Sequence, residues 1–165
     1  MHQIYSVGHS NHTFDKLISL LKEQNIQVLV DVRSSPYSKY SPHFNYEQVK
    51  GKMPSYGIEY HFKGKSLGGM PQDEQIYDED GRVLYYKLAG KEDFLADIEW
   101  LRKLAQDNRV AIMCSEENPA SCHRRLLLGR VLRKHDIQLS HIRGNGDVQT
   151  EHEICAQDSK CRCKQ

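Results

Sequence analysis

The sequence lacks the features that mark membrane and secreted proteins. No apolar run approaches the roughly 20 residues that a helix needs to cross a bilayer. Residues 1–5 lead directly into an apolar segment, without the charged and apolar regions of a signal peptide. The formal net charge is only +1, which gives no electrostatic reason for the whole molecule to bind nucleic acid or an anionic membrane. These absences favour a cytoplasmic protein with no membrane partner.

Repeats, linkers and a regular cysteine framework are also missing. The 165 residues contain no internal repeat and no Pro/Gly/Ser-rich linker, and the length suits one domain with a single core. The five cysteines are an odd number and are scattered, unlike a compact disulfide framework. In a reducing compartment such cysteines are buried, catalytic or metal-bound. The sequence therefore predicts one α/β domain over residues 1–144 and a C-terminal tail over residues 145–165.

Short apolar runs alternate with helical patterns along the chain. Strands are predicted at residues 3–7, 28–32, 58–62, 109–114 and 137–142. Helices are predicted from about residue 13 and at about residues 45–55, 91–106 and 118–135. This alternation favours a three-layer sandwich, with a mainly parallel sheet of about five strands and helices on both faces. The polar stretch at about residues 63–90 is predicted to be a loop, and loops of this length usually have a role.

Three of the predicted strands are followed by polar or reactive residues. These residues are Gly8, His9 and Ser10 after the first strand, Asp31 and Arg33 after the second, and Cys114 and Glu116 after the fourth. Ligands of open parallel sheets bind beyond the carboxyl ends of the strands, so these groups should lie together. Each has a structural explanation when taken alone, because Asp31 and Arg33 can pair and His9 can be buried. Their combination predicts one polar, ligand-sized site.

A predicted helix start supplies the fourth part of this site. Asn118 suits the N-cap, and the proline after it suits the first helical position. Cys122, His123 and Arg124 follow, and the spacing of the last two continues a buried leucine stripe toward the strand ends. Exposed backbone N–H groups at a helix start, together with a nearby arginine, favour an anion. We therefore expect these residues to bind a small anionic ligand.

Several segments carry a resemblance to a known family. They are Val7-Gly8-His9-Ser10, Val30-Asp31-Val32-Arg33-Ser34-Ser35-Pro36, Leu67-Gly68-Gly69 and Met113-Cys114-Ser115-Glu116 with Pro119 and Cys122-His123-Arg124. In this order, over about residues 3–143, the chain resembles the family called domain of unknown function 488 (DUF488). The Cys-x-Glu…Pro-x-x-Cys-His-Arg segment is specific, and Ser115 stands where alanine is the familiar residue. The resemblance supports the fold and the site and implies no particular reaction.

Acid–base or electrostatic chemistry on a small anionic substrate, such as a phosphate ester or a nucleotide, is the function that the pattern slightly favours. Arg33 and Arg124 would bind the anion, while His9, Asp31 or Glu116 moves protons. Glu116 is the preferred proton carrier, because both arginines are expected within its reach.

The competing hypothesis is a non-catalytic module that binds a nucleotide or nucleic acid. Four basic residues of the predicted helix would form its outer surface, namely Arg125, Arg130, Arg133 and Lys134. A solvated helix face explains the same residues and is the favoured interpretation of them.

Cysteine chemistry and metal binding stay open as further alternatives. The cysteine and the Asp-x-Arg at two strand ends are similar to those of rhodanese-like sulfurtransferases and cysteine phosphatases. However, Glu116 and Glu117 should raise the pKa of Cys114, and no phosphatase Cys-x₅-Arg spacing is present. The ligands of a metal at the strand ends would come from His9, Asp31, Cys114, Glu116, Cys122 and His123. Their spacing matches no standard metal motif, so a metal is not favoured.

The tail contains a second, weaker set of metal candidates. They are His152, Cys155, Cys161 and Cys163. One histidine and three cysteines can bind zinc, but this spacing is not standard. A lightly packed tail is therefore favoured over a metal site.

Overall fold

A six-stranded sheet forms the centre of the protein. In the computed structural model, which describes residues 2–157, the strands are β1 His2–Gly8, β2 Val28–Asp31, β3 Glu59–Phe62, β4 Val110–Cys114, β5 Ile137–Ile142 and β6 Val148–Thr150. Their order in the sheet is β3-β2-β4-β1-β5-β6. Strands β1 to β5 are parallel, and β6 is antiparallel to β5. The mainly parallel sheet predicted from the sequence is confirmed.

Helices connect the strands and cover both faces of the sheet. They are α1 Phe14–Glu23, α2 Tyr46–Lys52, α3 Gly64–Leu67, α4 Tyr85–Leu88, α5 Glu92–Asp107, α6 Arg130–Arg133 and α7 Glu151–Gln157. A π-helix, Arg124–Gly129, leads directly into α6. Short 3₁₀ turns lie at Pro42–Phe44, Met53–Tyr56 and Glu74–Ile76. Within residues 2–157, no helix has the length and apolar character needed to cross a membrane.

The alternation of side chains along β2 shows why the sheet is covered twice. Val28 and Val30 pack in the core that contains Phe94 of α5. Leu29, between them, packs in the other core with Leu17 of α1. Successive strand residues point to opposite faces, so a strand that is apolar throughout needs helices on both sides. The predicted three-layer α/β sandwich follows from this requirement.

Two segments differ from the sequence-based expectation. The chain after Gly144 is not only a tail, because β6 pairs with β5 and α7 buries Ile154. The helix expected from Asn118 begins later, at Arg124. Asn118 uses its side-chain oxygen to accept a hydrogen bond from the backbone N–H of Ala120, which closes a turn instead of starting a helix.

The sheet register brings the three polar strand ends together. Gly8 of β1 pairs with Cys114 of β4, and Asp31 of β2 pairs with Met113. Since β2, β4 and β1 are neighbours, their carboxyl ends lie at one edge of the sheet. This part of the sequence-based prediction is confirmed.

Candidate functional site

Two cysteines and a histidine meet at the end of β4. Cys114 ends the strand, and Cys122 and His123 precede the π-helix. The Nδ1 atom of His123 is 3.7 Å from the sulfur of Cys114 and 3.8 Å from the sulfur of Cys122. All three donor atoms lie within 4.8 Å of one another, and all three side chains are buried. In this article these residues are called the Cys-Cys-His cluster.

The backbone fixes the orientation of the His123 ring. Its Nε2 atom lies 3.2 Å from the carbonyl oxygen of Val32, which follows β2. A carbonyl oxygen only accepts, so Nε2 carries the hydrogen and Nδ1 presents a lone pair to the two sulfurs. On the other side, a Cβ atom at Gly69 would come within 2.6 Å of the ring, so the chain can pass here only as glycine. The Leu67-Gly68-Gly69 segment therefore supports His123.

The two thiols share one favourable site for a negative charge. The contact with the Cys122 thiol is the main cause that lowers the pKa of Cys114, although burial opposes this effect. The same contact with Cys114, together with burial, raises the pKa of Cys122. Cys114 is thus the thiol that ionises first. This corrects the expectation that Glu116 and Glu117 raise the pKa of Cys114.

The reason for this difference is the direction in which Glu117 points. Its carboxylate accepts hydrogen bonds from Arg143, at 2.8 and 3.0 Å, and from the backbone N–H of Gly144, at 2.9 Å. The Arg143 guanidinium is the main reason that the pKa of Glu117 is lowered to about 2. The negative charge of Glu117 is therefore neutralised by Arg143 and does not act mainly on Cys114.

Arg124 lies next to the cluster and is completely buried. Its Nη1 and Nη2 groups donate to the backbone carbonyls of Glu116 and Glu117, whereas its Nε has no partner among the described residues. Burial lowers the pKa of Arg124, and the charges that oppose this effect come first from Cys122 and Cys114. A buried guanidinium that binds only carbonyls needs a nearby anion, and the thiols are suitably placed to supply it.

Gly8 allows the loop after β4 to approach β1. A Cβ atom at this position would lie 1.6 Å from the carbonyl oxygen of Glu116 and 2.8 Å from Nη1 of Arg124. Any other residue would push this carbonyl away and remove the partner of Arg124. Gly8 therefore positions the site through its backbone, since it pairs with Cys114 and leaves room for the Glu116 carbonyl.

Asp31 and Arg33 form an internal pair instead of an open ligand site. Arg33 donates from Nε and Nη2 to the two carboxylate oxygens of Asp31, at 2.9 and 2.7 Å. The Tyr60 hydroxyl also donates to Asp31, at 2.7 Å. The remaining Nη1 group of Arg33 contacts the Phe44 carbonyl and the His9 ring. All three guanidinium nitrogens thus have internal partners, and anion binding by Arg33 stays a prediction.

His9 is held between the same groups. Its Nδ1–H donates to the Ser10 carbonyl at 2.8 Å, so Nε2 accepts from Arg33 at 3.2 Å. Burial lowers the pKa of His9 to about 4. Ser10 itself adopts a left-handed backbone conformation, with φ of 46°, and its N–H bonds the Ser115 carbonyl. In this arrangement His9, Ser10, Asp31 and Arg33 support the edge of the sheet.

Glu116 has an exposed side chain at the rim of the site. Arg124 contacts its carbonyl and not its carboxylate, and Arg33 is paired with Asp31. Within residues 2–157 the Glu116 carboxylate therefore makes no hydrogen bond to either arginine, although its charge acts on Arg124. Tyr85 lies on the same side: burial, Cys122 and Glu116 raise its pKa. Tyr85 was not among the site residues predicted from the sequence. Its position in the long polar loop at about residues 63–90 was the one feature of the sequence that could have indicated it.

Of the weaker metal candidates, the structure describes two. His152 and Cys155 are on α7, where the Cys155 sulfur contacts Arg125 and Glu151, while Cys161 and Cys163 lie outside the described residues. Within residues 2–157, Cys114, Cys122 and His123 are the one group placed to hold a metal.

Arg125 does not belong to an outer basic surface. It is buried and pairs with Glu151 at 2.8 Å, whereas Arg130, Arg133 and Lys134 are exposed.

Comparison with known proteins agrees with the resemblance noted in the sequence. A family model described as Domain of unknown function DUF488 matches residues 13–131, which is most of the 165-residue chain. The matched range includes β2, β4, the Cys-Cys-His cluster and Arg124. No curated protein and no solved structure matches the chain. The chain therefore belongs to the DUF488 family.

Proposed function

We propose that the protein is an enzyme that acts on a small molecule through a zinc ion bound by the Cys-Cys-His cluster. The observation that carries the proposal is the convergence of the three donor atoms. Tetrahedral zinc, with about 2.3 Å to sulfur and about 2.0 Å to nitrogen, places a sulfur and a nitrogen about 3.5 Å apart and two sulfurs about 3.8 Å apart, so a small approach of the donors would complete the site. The two sulfur-to-nitrogen distances are 3.7 and 3.8 Å.

The surroundings of the cluster suit a metal ligand set. Histidines that bind a metal usually donate their other ring N–H to a carbonyl or carboxylate, and Val32 supplies such a carbonyl to His123. Two thiolates would balance the charge of the zinc ion, and the buried guanidinium of Arg124 would stabilise them. Soft sulfur ligands with one imidazole also favour zinc over magnesium or calcium.

Within residues 2–157 the cluster supplies three ligands, and three ligands favour a catalytic centre over a structural one. Structural zinc sites have four protein ligands, whereas catalytic sites keep one position for water or substrate. A zinc ion held by these residues would activate a water molecule for attack, because zinc lowers the pKa of bound water to about 7. The exposed carboxylate of Glu116 lies at the rim, where it can accept the proton of that water. Hydrolysis is therefore the proposed class of reaction.

Metal analysis of protein purified without chelator tests this proposal. We expect about one zinc ion per chain in native mass spectra, and loss of it in Cys114→Ser, Cys122→Ser and His123→Ala variants. Cys155→Ser and a Cys161→Ser/Cys163→Ser double variant are matched controls that should keep the metal. Zinc lost only from the last of these would contradict the proposed centre.

A metal-free protein would point to a different use of the same residues. If the wild type binds no zinc and Cys114 is alkylated within seconds at neutral pH, the cluster serves thiolate chemistry. Cys155, outside the cluster, is the internal reference for the rate of alkylation. This measurement separates a metal centre from a cysteine nucleophile.

A further inference from the structure

A cavity of about 710 Å³ lies beside the segment that supports His123. The segment after β2, the aromatic side chains of α2 and β3, and the start of α3 form its walls. Its volume falls within the range of about 300–1,000 Å³ that is typical of small-molecule sites. In this article it is called the aromatic groove.

The groove and the proposed zinc centre share a wall. Ser34, in the groove, accepts a hydrogen bond from the backbone N–H of Met70 at 2.8 Å. Gly69, the residue before Met70, lies against the ring of His123. A molecule in the groove would therefore lie one residue of main chain from a ligand of the metal.

Large aromatic surfaces face this cavity. The rings of Tyr46 and Phe62 pack edge to face, with centroids 5.5 Å apart, and both line the groove. Tyr37 is 56% exposed and Met70 is 71% exposed, although both are large and largely apolar. The Tyr37 hydroxyl donates to Glu47 at 3.2 Å, which holds the ring in place. Exposed, oriented aromatic side chains of this kind stack well on a planar ring.

The charge at the groove is positive. Lys65 lines the cavity, is exposed, and has no hydrogen bond or ion pair to any of residues 2–157. Its ammonium group is thus available to an anion. Ser34 and Gln72 add uncharged polar groups to the same walls.

We infer that the aromatic groove binds the base and phosphate of a nucleoside monophosphate, which is the substrate class of the site. The planar ring stacks on Tyr37, Tyr46 or Phe62, and the phosphate pairs with Lys65. Naming this ligand a substrate rests on the zinc-dependent function proposed above, whereas its binding in the groove does not.

Calorimetric titration of the zinc-loaded protein with 5′-AMP, 5′-GMP, 5′-CMP and 5′-UMP tests the inference. At least one of them should bind, and the corresponding nucleoside and inorganic phosphate should each bind more weakly. Tyr37→Ala and Lys65→Ala should each weaken the binding by about tenfold, since stacking and charge pairing act independently. Tyr37→Phe keeps the ring and should bind more tightly than Tyr37→Ala.

Matched controls replace exposed residues outside the groove. Tyr86→Ala and Lys103→Ala remove the same groups from α4 and α5 and should leave the affinity unchanged. If none of the four nucleotides binds, if only an oligonucleotide binds, or if Tyr37→Ala and Lys65→Ala bind as tightly as the wild type, the inference is wrong.

The metal content of each preparation separates the two proposals. Tyr37→Ala and Lys65→Ala should keep their zinc, and Cys122→Ser should lose zinc but still bind the nucleotide. Nucleotide binding by a wild type that takes up no zinc would overturn the proposed function and leave the groove as a binding site. A zinc-loaded wild type that binds no nucleotide would overturn the groove alone.

Discussion

Gly69 and Glu116 show two ways in which a single position can serve the proposed centre. Gly69 has no side chain, and this lets the main chain lie against the His123 ring and support it. Glu116 acts through its carboxylate, which is exposed at the rim, and through its carbonyl, which binds Arg124. Substitutions at these positions should therefore affect metal affinity and turnover separately.

Gly69→Ala should weaken zinc binding by about 10- to 100-fold, the usual effect of disturbing the surroundings of a ligand. The added Cβ atom would come within 2.6 Å of the His123 ring and turn it away from the cysteines. Competition with a zinc indicator measures the affinity. Gly51→Ala is the matched control, because a Cβ atom there meets nothing within 4 Å. Equal zinc affinity in both variants would show that Gly69 does not position His123.

Glu116→Gln should keep the fold and the zinc but lower turnover by about 10²- to 10⁴-fold, the usual weight of general acid–base catalysis. The assay uses the ester that the zinc-loaded wild type hydrolyses best from a panel of nucleotide and carboxylic esters. Thermal unfolding should be unchanged, because the side chain is exposed. A folded variant with full turnover would remove Glu116 from the mechanism.

The connection between β4 and the π-helix is held from outside the cluster. Glu117 lies in this connection, and its carboxylate binds Arg143 and the backbone N–H of Gly144, which follow β5. The ion pair therefore joins the loop that carries Glu116 and Cys122 to the end of β5, the strand next to β1 on the side away from β4. The π-helix begins immediately after this loop, and π-helical turns are frequent at functional sites.

Glu117→Gln should lower the free energy of unfolding by about 1–2 kcal/mol near pH 7, since the pair is only partly buried. The pKa of Glu117 is lowered from 4.5 to about 2 in the folded protein. The stabilisation is thus present above pH 4.5 and disappears as the pH falls toward 2. Urea unfolding at pH 7 and at pH 3 should show the difference between variant and wild type shrinking. A constant difference would mean that the charge of Glu117 is not responsible.

The folded protein as a whole contains two histidines whose protonation burial disfavours. Burial is the main cause that lowers the pKa of His9 to about 4 and that of His141 to about 3, from 6.5. Between pH 6.5 and these lowered pKa values, the two histidines bind protons in the unfolded chain but not in the folded protein. The protein should therefore be most stable above pH 6.5 and lose stability as the pH falls toward 4.

In His9→Gln the free energy of unfolding should fall by about 3 kcal/mol less than in the wild type as the pH is lowered from 6.5 to 4, because a glutamine amide does not titrate. The amide can still donate to Ser10 and accept from Arg33. The free energy of unfolding, measured at several values between pH 7 and pH 4, gives the slope. His135→Gln replaces an exposed histidine and should leave the slope as in the wild type. An unchanged slope in His9→Gln would show that the pKa of His9 is the same in the folded and unfolded states.

The pattern of residues along the chain was sufficient to predict the sheet and the location of the site. Apolar runs such as Val28–Val30 must be covered on both faces, so they predict a parallel sheet. Parallel strands place their carboxyl ends at one edge, so Gly8, Asp31 and Cys114 were expected together. These are consequences of periodicity and connectivity, which are local properties of a sequence.

The pairing of side chains required the folded structure. Asp31 pairs with Arg33, Glu117 pairs with Arg143, and Arg124 binds two backbone carbonyls, and none of these internal partners was predicted from the spacing of the residues. The addition of β6 and α7 also depended on tertiary packing, because Ile154 is buried only when the sheet is present. Short-range contacts between residues far apart in sequence depend on distances of a few ångströms. No spacing along the chain specifies such distances, and for this reason only the fold showed which three of the six candidate metal ligands, Cys114, Cys122 and His123, come together.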